Sequence, residues 1–177
     1  MKKKVQNLSF VFAIFFVFIA SVCFCGCSGI KGYSNESLFN ESVKTVYVEM
    51  FDSMSFRRGI EYVLTDALAK RIEASTPYKI VSDRSQADTV LSGQITGIGG
   101  GAISSEFETG RALERDVLLS AAVNWKDLKT GELLIDDISV SASANYSEWQ
   151  NQGFEYGTSL AANKLAKRIV ELMEKEW

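Results

Sequence analysis

The stretch VKTVYVEMF, residues 43–51, alternates its side chains in a regular way. Val46, Val48 and Met50 fall on one side of an extended chain, and Phe51 falls on the other. Alternation with a period of two residues is typical of a β-strand. The folded part of the chain is therefore expected to open with a strand.

A helix is predicted over residues 56–75, after a short polar turn with capping side chains. Its apolar residues recur at helical spacing and form one stripe, which comprises Ile60, Val63, Leu64, Ala67, Leu68 and Ile72. Thr76 and Pro77 end this helix, because proline has no amide hydrogen to continue it. A short strand at 78–82 and a turn or single helical turn at 83–88 are expected next.

Three further strands are predicted over 89–98, 117–125 and 133–145. Gly93 and Gly97 lie on one side of the first of these, where we expect them to leave room for a helix close to the sheet. The last strand alternates between two faces. Its expected inward side chains are Ile138, Val140, Ala142 and Ala144, and its outward ones are Ser139, Ser141, Ser143 and Asn145.

A second helix is predicted over 154–177, with a buried stripe through Ala161 or Ala162, Leu165, Ile169, Leu172 and Met173. This order of elements predicts an α+β, two-layer sandwich. Two helices pack on one face of a mixed, mostly antiparallel sheet of four to five strands. The first helix suits a right-handed crossover between two parallel strands.

The N-terminal segment has the pattern of a bacterial lipoprotein leader. Three lysines, Lys2–Lys4, precede an apolar run over 8–22, and Gly26 then precedes Cys27. Lipoprotein processing requires a small residue before the cysteine, so residues 1–26 are expected to be removed and Cys27 to be lipidated. A retained transmembrane helix is the alternative, although a span needs about 20 apolar residues and this run is shorter.

Three parts of the chain follow from this pattern. Residues 1–26 are a signal peptide, residues 27–42 are a polar, lipid-anchored flexible tether, and residues 43–177 are a single α+β domain. Ser28, rather than an aspartate, follows the cysteine. By the sorting rule for lipoproteins of enteric bacteria, this favours the outer membrane.

Charge and residue content argue against several classes of function. Of the 19 Lys and Arg residues three leave with the leader, so 16 remain against 22 acidic residues, a net charge of −6. An acidic domain is not a general nucleic-acid binder. The sequence contains no histidine, which removes the commonest general base and metal ligand. We therefore expect no cofactor, no metal and no catalytic activity.

Two polar patterns are candidate sites of chemistry. The glycine-rich residues 97–102 match a phosphate-binding pattern, but no helix is predicted directly after them to hold a phosphate at its N-terminus. The carboxylate pairs Asp136/Asp137 and Glu106/Glu108 lie in polar surroundings. They do not form the convergent pair with one raised pKa that acid catalysis requires.

Basic and aromatic residues are the remaining candidates. Four basic residues are predicted to gather near one end of the hairpin system: Arg111, Arg115, Lys126 and Lys129. On an acidic domain such a spot suits lipid phosphates, and ordinary loop charges are the alternative. The later aromatic residues are either core side chains or an exposed anchor patch; they are Trp125, Tyr146, Trp149, Phe154 and Tyr156.

Several segments together resemble the LptE family of lipopolysaccharide-assembly lipoproteins. The matching segments are Cys27 with Gly32-Tyr33-Ser34, residues 43–48 running into Phe51, residues 59–68, 87–95 and 129–132, and residues 165–170 with Trp177. The resemblance implies a non-enzymatic lipoprotein on the periplasmic face of the outer membrane. It also implies an LptD-like β-barrel partner whose lumen the domain plugs, and lipopolysaccharide as a further partner.

Two other functions stay open at this point. Outer-membrane lipoproteins that activate a peptidoglycan synthase or support a secretion channel share the β-α-β-β layout. An envelope hydrolase is disfavoured by the missing histidine and by the absence of a convergent acid pair in the sequence pattern.

Overall fold

The computed structural model describes residues 37–110 and 112–174. These residues form one sheet with two helices on it, which confirms the predicted α+β architecture. The strands are β1 (Thr45–Val48), β2 (Asp52–Ser53), β3 (Lys79–Ile80), β4 (Thr89–Gly99), β5 (Ala102–Ser105), β6 (Ala112–Asp127) and β7 (Leu133–Tyr146). The helices are α1 (Ile60–Ser75) and α2 (Phe154–Glu171).

The strands lie side by side in the order β3, β1, β4, β6 and β7. β1 is parallel to β3 and β4, whereas β6 is antiparallel to β4 and β7. The parallel pair expected across the first helix is thus β1 with β3. The short strand β2 pairs with β4 beyond the end of β1, and β5 pairs with β6 beyond the end of β4. These two short pieces raise the strand count to seven, above the four to five predicted.

The sheet has a proximal end and a distal end. At the proximal end, β4 begins at Thr89, which lies opposite Asp127 at the end of β6. At the distal end, Arg115 near the start of β6 lies opposite Tyr146 at the end of β7. Helix α2 also begins near the distal end, at Phe154, and runs towards the proximal end.

The core lies between the helices and one face of the sheet. β6 contributes every second side chain, namely Val117, Leu119, Ala121, Val123 and Trp125. α1 contributes Ile60, Leu64, Ala67, Leu68 and Ile72, and α2 contributes Ala161, Ala162, Leu165, Ala166, Ile169 and Val170. Two residues of the predicted helix stripes are exposed rather than buried. Val63 stands about 100° around the helix from Leu64, and Leu172 lies just past the end of α2.

Strand β1 is shorter than the alternation over residues 43–51 predicts. β1 ends at Val48, and the chain then bends, with the Glu49 N–H donating to the Leu91 carbonyl oxygen at 2.9 Å. Met50 was expected on the side of the buried Val46, but its side chain is exposed, while Phe51 is buried. The prediction that the alternation continues to residue 51 is therefore wrong.

Gly93 and Gly157 both allow close packing, and the role of Gly157 was not expected. A Cβ at Gly93 would overlap the Phe51 ring and lie 2.5 Å from the Ala122 carbonyl oxygen, so Gly93 makes room for a side chain rather than for a helix. The close approach of a helix depends instead on Gly157 of α2. A Cβ there would lie 2.6 Å from Cδ1 of Tyr146 on β7.

Helix α1 begins at Ile60, four residues later than predicted. Gly59 has a φ of +96°, a left-handed conformation that favours glycine. Its N–H donates to the Glu61 carboxylate at 3.1 Å. The backbone therefore turns sharply before the helix, and Phe56 is left fully exposed in the preceding loop.

The segment 99–116, which lies between the predicted strands 89–98 and 117–125, forms a β-hairpin that extends the sheet at its distal end. β6 accordingly starts at Ala112 rather than at residue 117. A strand, β5, follows the glycine run, and no helix begins there among the described residues. The phosphate-binding pattern at 97–102 therefore lacks the helix that it needs.

A bulge interrupts β7 at Asp137, whose φ is +47°. The pairing with β6 shifts there, from Val123 opposite Ile138 to Trp125 opposite Ile135. Ile138 lies opposite the buried Val123 and so on the core side of the sheet, as expected, but its side chain is 41% exposed.

The described part of the predicted tether packs onto the domain. Phe39 is buried, and its ring meets the Tyr78 ring edge-on with centroids 5.7 Å apart. The Asn40 N–H donates to the Tyr78 hydroxyl at 3.0 Å, and Phe39 forms an antiparallel bridge with Glu174. The chain thus joins the domain at the proximal end. Cys27 and the predicted leader lie outside the described residues. Neither helix in the ranges 37–110 and 112–174 is both long and apolar enough to cross a bilayer.

Candidate functional site

One face of the sheet carries no helix, and the side chains at its centre are uncharged. The side chains of β6 and β7 that point away from the helices are Leu118, Ser120, Ala122, Asn124, Ser139, Ser141, Ser143 and Asn145. β4 adds Ser92 and Gln94, which lie opposite Asn124 and Ala122. We call this set the open sheet face. Its side chains are exposed or half-buried.

The hydroxyl and amide side chains of the open sheet face suit contact with water or with another polar surface. Hydroxyl and amide groups both donate and accept hydrogen bonds, so they bind water or a polar partner without the cost of removing a charge from water. Charged side chains are depleted at the centre of protein interfaces. The charged residues around this face are Asp52, which lies opposite Gln94, and Asp116, Lys126 and Asp136 towards the ends of the strands.

The four basic residues predicted to cluster are not gathered at one end. Arg115 lies at the distal end of β6 and Lys126 at the proximal end, eleven residues apart on the same strand. At about 3.3 Å a residue, the two lie about 35 Å apart. Lys129 follows in the β6–β7 turn at the proximal end, and Arg111 lies outside the described residues. The expectation of a single basic spot is therefore wrong.

A cavity of about 230 Å³ opens at the distal end, and its walls include two arginines and the glycine run. The Arg57 guanidinium stacks over the Phe154 ring at 4.0 Å. Arg115 Nε lies 3.0 Å from a Glu148 carboxylate oxygen, although the N–H is poorly aligned for a hydrogen bond. The Gly101 N–H donates to Asp116 Oδ1 at 2.6 Å. Because the carboxylates of Glu148 and Asp116 already face Arg115 and the Gly101 N–H, the cavity is not a purely basic anion site.

Lys129 has a structural partner at the proximal end. Its ammonium lies 2.6 Å from Asp88 Oδ1, while Asp88 Oδ2 accepts the backbone N–H groups of Lys44 and Thr45, each at 2.9 Å. The Lys129 ammonium and the Lys44 N–H hold the pKa of Asp88 well below its ordinary value of 3.8, and the same ion pair raises the pKa of Lys129. Asp88 thus ties the start of β1 to the β6–β7 turn.

The carboxylate pairs do not form a catalytic arrangement. Asp136 and Asp137 are both exposed at the bulge in β7, and Glu106 and Glu108 are both exposed in the β5–β6 turn. Within residues 37–110 and 112–174, no cluster of His, Cys, Asp and Glu side chains has the arrangement to hold a metal ion.

The aromatic residues divide between core and surface. Trp125 and Tyr146 are buried, Phe154 is half-buried beneath Arg57, and Trp149 and Tyr156 are exposed. Two fully exposed aromatic residues, Phe56 and Phe107, were not singled out from the sequence. The signal that was available for Phe107 is its position between two glutamates in a polar stretch.

The fold defines a two-layer α+β domain whose sheet carries helices on one face only. Its sequence also matches a known family. The model of the family described as "LptE: Lipopolysaccharide-assembly" matches residues 43–174. The chain belongs to this lipopolysaccharide-assembly family, as its sequence segments indicate. No curated protein matches the chain.

Solved structures are similar to the chain at low sequence identity. The hypothetical protein CT253 from Chlamydia trachomatis has a TM-score of 0.53 and 10% identity, over 72% of this chain and 94% of that one. A PelC dodecamer from Paraburkholderia phytofirmans has a TM-score of 0.49 and 14% identity, over 80% and 96%. Lipoprotein B from Nitrosomonas europaea has a TM-score of 0.49 and 15% identity, over 82% and 88%.

Proposed function

We propose that this protein is a lipoprotein of the outer membrane that binds and plugs an LptD-like β-barrel during lipopolysaccharide assembly. It acts without catalysis, and Cys27, acylated after removal of residues 1–26, holds it to the periplasmic face. The observation that carries the proposal is membership of the lipopolysaccharide-assembly family over residues 43–174.

The open sheet face supports a barrel as the partner. The lumen of a large outer-membrane barrel is polar and water-filled. A sheet surface of serine, asparagine and glutamine side chains matches such a lining, because these groups exchange water-mediated and direct hydrogen bonds at little cost. A strongly charged face would need a complementary charge at each contact, which the open sheet face does not require.

The basic residues are proposed as contacts with a partner or with lipopolysaccharide. Since they occupy opposite ends of β6, Arg115 would serve the distal end, and Lys126 and Lys129 the proximal end. Arg111 is included on the sequence alone. Arginine binds phosphate groups through bidentate hydrogen bonds, and lysine binds them as a point charge.

Affinity purification of the full-length chain from outer membranes tests the proposal. We expect a large β-barrel protein to be recovered with it, and intact-mass measurement to show a mature chain that begins at an acylated Cys27. Depletion of the chain should lower lipopolysaccharide at the cell surface. Recovery of a periplasmic synthase domain or a secretion channel in place of the barrel would support the alternative function.

A further inference from the structure

The distal end of the domain carries the most exposed aromatic side chains of the described chain. Phe107 and Phe56 are fully exposed, and Trp149 is 75% exposed. Phe107 lies in the turn that joins β5 to β6, which extends past the end of β4. This turn, residues 106–110, is named the hairpin tip. It lies at the opposite end of the domain from the point where the chain enters at Phe39.

Hydrogen bonds within the hairpin tip give it a defined shape. The Gly110 N–H donates to the Glu106 carbonyl oxygen at 2.8 Å, and the Thr109 hydroxyl donates to Glu106 Oε2 at 2.6 Å. Gly110 has a φ of +68°, which favours glycine. A turn that is closed before binding loses less conformational entropy when a partner holds it. The large apolar ring of Phe107 is thus presented to solvent on an ordered support.

The hairpin tip is also negatively charged. Glu106 and Glu108 flank Phe107 directly, and both are exposed. We propose that the hairpin tip inserts Phe107 into an apolar socket on a partner protein, and that lysine or arginine side chains at the rim of the socket pair with the two glutamates. The proposal rests on the proposed function in taking the β-barrel as that partner.

A lipid surface and a second copy of the chain fit the same features less well. Segments that enter a membrane surface carry Lys or Arg beside their aromatic residues, because the headgroups are anionic. The hairpin tip carries carboxylates in those places. A two-fold contact between two hairpin tips would bring the same carboxylates of both copies together, and like charges repel. An apolar socket with a basic rim would bury the Phe107 ring and pair with both carboxylates.

Site-specific photocrosslinking of the full-length chain in outer membranes tests the inference. A photoreactive phenylalanine analogue is placed at position 107, and the matched control carries it at Tyr62, an exposed aromatic residue on α1. We expect the analogue at 107, and not at 62, to form an adduct with the barrel protein, mapped to a peptide with Lys or Arg beside the crosslink. Glu106→Lys with Glu108→Lys should lower the adduct yield about tenfold or more.

The possible outcomes separate this inference from the proposed function. A barrel that co-purifies without an adduct at 107 overturns docking by the hairpin tip and leaves the proposed function intact. An adduct with phospholipid or with a second copy, or a yield that charge reversal leaves unchanged, also overturns it. If a different protein forms the adduct through a basic-rimmed socket and no barrel co-purifies, docking holds and the proposed function fails. If neither barrel nor protein adduct is found, both fail.

Discussion

Replacement of Asp88 by alanine is expected to loosen the proximal end of the sheet. Its carboxylate accepts two backbone N–H groups at 2.9 Å, from Lys44 and Thr45, and pairs with Lys129 at 2.6 Å. The side chain is only 17% exposed, whereas that of Lys129 is 68% exposed. The backbone hydrogen bonds should therefore dominate the contribution of Asp88 to the free energy of unfolding.

The size of the effect follows from these contacts. A hydrogen bond to a charged group contributes about 1.5 kcal/mol or more, and the Lys44 N–H is exposed, so water partly replaces its bond. Asp88→Ala should lower the free energy of unfolding by about 2 kcal/mol. Asp88→Asn keeps an acceptor oxygen and should cost about half as much. Lys129→Ala removes only an exposed ion pair and should cost much less.

Urea unfolding, followed by the fluorescence of the buried Trp125, measures these differences at pH 7 and at low pH. Because the pKa of folded Asp88 lies below its ordinary value of 3.8, its stabilisation is fully present above that pH and is lost as the pH falls through the folded pKa. The gap between the wild type and Asp88→Asn should therefore narrow below pH 4. Equal losses from Asp88→Ala and Lys129→Ala, or a gap independent of pH, would refute the reasoning.

Two further predictions concern packing and the free edge of the sheet. Gly93→Ala should lower the free energy of unfolding by about 2 kcal/mol, because the added methyl group overlaps the Phe51 ring. The control Gly97→Ala places its methyl group in open space and should be nearly neutral. Calorimetry of both variants measures the difference. Lys164 and Arg168 donate to backbone carbonyl oxygens on the free edge of β7, at Ser143 and Ser141. Charged side chains over a strand edge block its pairing with another strand. The double variant Lys164→Gln with Arg168→Gln should therefore form dimers or larger species, which light scattering detects. A double variant that stays monomeric would contradict this role.

The fold class and most of the core were predictable from the sequence, because long periodic segments specify their own faces. The stripe of α1 and the alternation of β6 are both seen in the structure. Predictions failed where the chain departs from a regular period. The bend after Val48 reverses the alternation, and the bulge at Asp137 shifts the pairing of β7 with β6 by one residue. Single-residue shifts of this kind depend on tertiary contacts, which a local pattern does not contain.

The candidate site was only partly predictable. The serine-rich side of β7 was expected to face outward, and the structure joins it to β6 and β4 in one uncharged surface. The basic residues were expected to gather, but Arg115 and Lys126 lie at opposite ends of β6. The predicted strand over 117–125 already keeps these two residues about 30 Å apart, which the expectation of a single basic spot overlooked. The exposure of Phe107 depends on the hairpin of β5 and β6, whose turn extends past the end of β4.

The central claim is that the open sheet face binds the barrel partner, and one quantitative co-purification tests it most directly. Ser120→Lys with Ser141→Lys places two charges on neighbouring residues of this face. The matched control, Ser159→Lys, places a charge on the exposed surface of α2. We expect the double variant to recover about tenfold less barrel protein than the wild type, and the control to recover as much as the wild type. Undiminished recovery with the double variant, or an equal loss with the control, would contradict the account.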